Sequence, residues 1–91
     1  MVNSIRYTCD SDLLPIIEAA LARDGYQVEL PRQRSIGGAS ALIMSRGLTY
    51  ILIGDDPSSQ RGLIEIWGIQ LAAAMQLLES LPIQVIKQSL G

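Results

Sequence analysis

"LIEIWGIQLAAAMQLL", residues 63–78, decides the fold, because its apolar residues run almost without a break. At 100° per residue, Glu65 and Gln76 share one stripe with Gly68 and Ala72, and Glu79 beyond the stretch joins them. Gln70 lies elsewhere, and every other position is apolar. The spacing predicts a helix from Leu63 to about Leu81, stopped by Pro82. Its apolar arc is wider than the roughly 100° that a core-facing helix needs. One sheet covers one side of a helix, so part of this one, including Trp67, Gly68 and Ala72, is expected to meet another chain.

Upstream, "DDPSSQRG" (residues 55–62) reads as a turn and helix start, with Asp56, Ser58 and Ser59 as capping residues. Before it, "ALIMSRGLTYILIGD" (41–55) reads as a hairpin turning at Arg46-Gly47. That turn pairs Ser45 with Leu48, Ile43 with Tyr50 and Ala41 with Leu52 on one face. Met44 with Thr49, and Leu42 with Ile51, fall on the other, with Ile53 further along. Both faces are apolar, whereas a sheet wetted on one side alternates. The face bearing Leu42, Met44, Ile51 and Ile53 is expected to look outward.

Nearer the N-terminus, "SIRYTC" (4–9) reads as a strand, and "DSD" (10–12) caps a helix with Pro15 in its first turn and Gly25 at its end. "YQVELP" (26–31) alternates and stops at Pro31, which suits an edge strand. "RQRSIGGAS" (32–40) reads as a loop, and the tail "IQVIKQSLG" (83–91) fits a strand or a short helix equally. The order β-α-β-β-β-α predicts one α+β domain over residues 1–91. It is a two-layer sandwich, with an antiparallel sheet of three to four strands and two main helices on one face. Helix, three strands, helix is also the order of double-stranded-RNA-binding domains. The basic run that opens the second helix of that family is replaced here by "SSQRGLIEIW", with Arg61 as its one cation, so the chain is not assigned to it.

Hydrophobic residues make up 48% of the chain and charged residues 18%, which argues against disorder and for more apolar surface than a small monomer easily hides. The net charge of −2 does not suit a nucleic-acid binder. Polar residues interrupt residues 63–81 too often for a membrane span, and the first ten residues lack a signal peptide's apolar run, so a cytoplasmic protein is expected.

Chemistry-bearing residues are few. There is no histidine, which removes the usual base near neutral pH and the commonest metal ligand. Cys9 is the lone cysteine and reads as a buried strand residue. Asp10 with Asp12, and Asp55 with Asp56, precede expected helices, where capping explains them without a metal. "IGGAS" lacks the spacing and the lysine of a phosphate loop. No enzyme activity and no cofactor are expected. Arg32 and Arg34, brought near Arg61 at a helix N-terminus, would make an anion site, and a nucleic-acid or polyanion module is the alternative reading. The main expectation is a protein–protein interaction domain that self-associates, a dimer before any larger oligomer.

Overall fold

The computed structural model describes residues 4–88. It is an α+β fold with two helices and six strands: β1 (Ser4–Asp10), α1 (Leu14–Arg23), β2 (Gln27–Arg34), β3 (Ser40–Arg46), β4 (Thr49–Asp56), β5 (Arg61–Gly68), α2 (Leu71–Ser80) and β6 (Ile86–Gln88). All pairings are antiparallel and the strand order is β2-β3-β4-β5-β1-β6. The expected α+β class holds, with more strands than the three or four anticipated.

The largest departure lies in residues 63–78. The expected long helix is a strand followed by a shorter helix. Ile64, Ile66 and Trp67 favour extended backbone, and Gly68 turns the chain at φ 126 before α2 starts at Leu71. At Gly68 a Cβ would sit 2.1 Å from the Leu48 carbonyl oxygen. That oxygen also accepts the Ile69 N–H at 3.3 Å, and the Thr49 hydroxyl donates to the Gln70 carbonyl at 3.0 Å. The β3–β4 turn thus pins the corner where β5 gives way to α2.

"DDPSSQRG" is a hairpin loop between β4 and β5 rather than a helix start. Asp56 pairs with Arg61 across the ladder, and its carboxylate accepts from the Ser58 hydroxyl at 2.7 Å and the Ser58 N–H at 3.2 Å. This is the local closure that aspartate offers in turns. The Ser58 hydrogen bond also holds the Asp56 carboxyl below its usual pKa. In the β3–β4 hairpin the two-residue turn is Gly47-Leu48, with Arg46 opposite Thr49, so Ser45 faces Tyr50 and Ile43 faces Leu52. Gly47 at φ 61 followed by an ordinary residue suits a type II′ turn. The division of residues between the two faces stands; the turn moves by one residue and each pairing by two. β2 runs on through Pro31 to Arg34, where a loop was expected, with register shifts between Val28 and Leu30 and between Leu30 and Gln33. Pro31 is tolerated because β2 is an edge strand.

Helix α1 buries Leu14, Ile17, Ala20 and Leu21 along one stripe. It closes with Tyr26 N–H donating to the Leu21 carbonyl and Gly25 N–H to that of Ala22, a Schellman arrangement. Helix α2 buries Ala74 and Leu78. Both stripes join one core with Tyr7, Cys9, Leu42, Met44, Ile51, Ile53, Ile64 and Ile66, which share a single face of the sheet. Ile83 and Val85, leading into β6, pack at its margin.

Tyr7 ties the two layers, its hydroxyl donating to Glu79 Oε2 of α2 at 2.6 Å. Burial first, then the Glu79 hydrogen bond and charge, keep the phenol protonated far above the usual 10.0. The sign follows from linkage. A folded-state value above the unfolded one gives stability that is whole below about pH 10 and lost as pH rises from there through the folded value. Tyr7→Phe is expected to lower stability by about 1 kcal/mol at pH 8. Urea melts should show that deficit shrinking and reversing near pH 11; an unchanged deficit would mean that burial and Glu79 together do not hold the phenol protonated.

Candidate functional site

The face of the sheet that none of the described residues covers is the candidate site. On β4 its residues are Tyr50, Leu52, Gly54 and Asp56, the alternates of the buried Thr49, Ile51 and Ile53. Pairing extends each position into a row across the sheet. Tyr50 lies between Ser45 and Trp67, with Ser4 beyond. Leu52 lies between Ile43 and Glu65, with Leu30 and Arg6 on the flanks, and Gly54 lies between Ala41 and Leu63, with Thr8 beyond. Asp56, Arg61 and Asp10 close the end.

The centre of this face is therefore apolar. Ile43, Tyr50, Leu52, Leu63 and Trp67 are half-buried by their neighbours within the sheet alone. The Tyr50 and Trp67 rings stack with centroids 5.7 Å apart and planes 17° from parallel. Leu30 is 47% and Ile86 51% exposed at the two sides. Charge enters this field at Glu65, beside Leu52, and otherwise stands at the border. Arg6 Nε donates to Glu65 Oε2 at 2.8 Å, and Arg61 pairs with Asp10 at 3.0 Å. Such surface pairs contribute little to stability; they give Glu65 and Asp10 a counter-ion, while the Asp56 carboxylate is bonded by Ser58.

The residues expected to form the interface divide. Leu42, Met44, Ile51 and Ile53 are at most 5% exposed and point into the core beneath the helices, so the outward assignment of the hairpin is reversed. The residues that face outward are Ala41, Ile43, Tyr50 and Leu52. Trp67 is on the uncovered face, at the end of β5 rather than on a helix. Gly68 is the corner after it, and Ala72 is exposed on α2, which packs against the opposite face. The signal missed is the polarity of β5: its outward positions hold Arg61 and Glu65, while its inward ones hold Gly62, Ile64 and Ile66.

The expected arginine cluster does not assemble. Arg61 opens β5 instead of a helix and bonds Asp10 and the Thr8 hydroxyl. Arg32, on the far edge strand, bonds Glu18 at 2.8 Å and the Ser40 hydroxyl at 3.0 Å. Arg34 lies opposite Ser40, three strands from β5. Asp55 accepts from the Ser11 hydroxyl, and Asp10 takes Arg61 instead of capping. Among the described residues no three His, Cys, Asp or Glu side chains are grouped to hold a metal ion. Burial pushes the Cys9 thiol upward, against the pull of Arg61, which leaves it a poor nucleophile.

A cavity of about 300 Å³ lies at the pinned corner, lined by Tyr26, Arg46, Leu48, Thr49, Ile69 and Ala73. Its one cation, Arg46, lies 5.2 Å over the Tyr26 ring and pairs with Asp24 at 2.9 Å. Among the described residues no helix is long and apolar enough to cross a membrane. In comparisons with protein-family models, with curated proteins and with solved structures, the chain finds no match.

Proposed function

We propose that this domain works by binding protein, and that it associates with itself through the uncovered sheet face. The observation that carries this is the apolar field of Ile43, Tyr50, Leu52, Leu63 and Trp67, with both helices packed on the other side. Five strands about 4.8 Å apart and seven residues long, at about 3.3 Å per residue, make a face of roughly 24 by 23 Å. That is about 550 Å² in projection, and side-chain relief adds to it. Specific interfaces bury about 800 Å² per partner, with a lower range near 600 Å². The face is thus large enough for a dimer at the small end of that class. At roughly 25 cal/mol per Å² its burial offsets a substantial association cost.

The polyanion alternative has less support, since Arg32 and Arg61 bond carboxylates in separate parts of the sheet. Salt distinguishes the two. Apolar association is expected to hold or tighten as salt rises, whereas polyanion binding weakens steeply. Sedimentation velocity from about 1 to 200 µM is expected to show a dimer of the 9.9 kDa chain, with a dissociation constant in the micromolar range that does not rise at high salt. A monomer throughout, or a dimer that salt dissolves, contradicts the proposal.

A further inference from the structure

Gly54 stands mid-strand on the uncovered face, and nothing among the described residues requires glycine there. Its φ is outside the left-handed region, and an added Cβ would meet Leu52 Cδ2 at 3.6 Å and Leu63 Cβ at 3.8 Å, ordinary contacts. Gly62 differs, since a Cβ there would fall 2.7 Å from Leu14. Glycine weakens a strand interior, and where it persists it often marks the close approach of another backbone.

The surroundings say what approaches. Gly54 pairs with Ala41, so the two leave a hollow in the face. That hollow adjoins a depression of about 310 Å³ beside Ala41, on the Gln33 side. Two residues along β4 is Leu52, and two further is Tyr50, stacked on Trp67 as a ridge. Ridge and hollow lie equally far, about 7 Å, on either side of Leu52. An isologous dimer needs a surface that complements its own copy when rotated by two-fold symmetry, and this face has that property about one direction. An axis running across the strands at Leu52 carries Tyr50 onto Gly54 and Trp67 onto Leu63, and sets Glu65 opposite its own copy. An axis along the strands sets ridge on ridge.

We propose that a second copy of this chain docks about the cross-strand axis, with Leu52 against the partner's Leu52, Tyr50 over the partner's Gly54 and Trp67 over the partner's Leu63. Glu65 stands in the same row and meets its own copy, and each Glu65 brings Arg6 as its counter-ion. This geometry rests on the self-association proposed above and adds its register.

The test is a double-mutant cycle read by sedimentation equilibrium, with Tyr50→Gly, Gly54→Tyr and the double variant. The two positions lie about 13 Å apart within one chain, so any coupling between them arises across the interface. Each single variant is expected to weaken self-association about tenfold. The double variant exchanges ridge and hollow and is expected to associate more tightly than either. A double variant no tighter than the better single one overturns the register while leaving a wild-type dimer standing; a monomeric wild type removes the reading beneath it. Gly54→Ala guards against misfolding of the larger change. It is expected to raise the melting temperature of the dissociated chain while weakening the dimer, and an unweakened dimer overturns the proposal.

Discussion

Gly68→Ala is expected to lower stability by about 4 kcal/mol or more, a large share of the total of about 5–10 kcal/mol expected for a domain of this size. Two effects combine. Gly68 sits at φ 126, a conformation that L side chains rarely adopt. The new Cβ would also sit 2.1 Å from a backbone oxygen, that of Leu48, which cannot rotate away as a side chain does. Relief requires the β3–β4 turn to leave β5, breaking the Ile69 N–H to Leu48 bond and opening the start of α2. Urea unfolding gives the reading directly. A midpoint close to wild type would mean that the chain does not make this corner, and the long-helix interpretation of residues 63–78 would return.

Leu52→Arg is expected to abolish self-association, by about a hundredfold or more, while changing monomer stability little. In the free chain Leu52 faces solvent in part, and arginine at that place carries its charge into water. In the proposed dimer the introduced charge of each copy meets that of the other across the axis, while Glu65 beside it is already held by Arg6, a like-charge penalty of about 2–5 kcal/mol. Its neighbours give the opposite result. Ile51 and Ile53 are fully buried beneath the helices, so arginine there is expected to unfold the chain. Sedimentation with circular dichroism on Ile51→Arg and Leu52→Arg separates the two faces one residue apart. A folded, still dimeric Leu52→Arg would place any interface elsewhere.

How far these features were legible in the sequence depends on the local signal. Helix α1 was legible because its stripe, Pro15 and Gly25 agree at every level. The hairpin was legible as two apolar faces, and the sorting of Leu42, Met44, Ile51 and Ile53 against Ile43, Tyr50 and Leu52 was correct. Which face looks outward was not legible from the hairpin alone, because both are apolar. The deciding charges, Arg61 and Glu65, sit on β5, and β5 was hidden inside the expected helix. It was hidden because Leu63, Glu65 and Trp67 supply no clean polar alternation, and because the helix-forming run from Leu71 follows after only Ile69 and Gln70. Gly68 was the break in plain view, since an isolated glycine in a periodic run can be a stop. The arginine cluster failed for the same reason: with β5 in place of a helix start, Arg61 meets Asp10 across a ladder instead of a helix N-terminus.

Trp67 offers the most direct measurement, because it is the sole tryptophan of the chain and lies on the face proposed to be covered. Its emission should be followed as the protein is diluted from about 100 µM to 0.1 µM, a range chosen to bracket a micromolar dissociation constant. The predicted result is a blue-shifted maximum at high concentration that moves to the red over the same range in which sedimentation shows the dimer parting. A spectrum that stays the same across the whole range, with the chain folded throughout, would contradict the claim that a second chain covers this sheet.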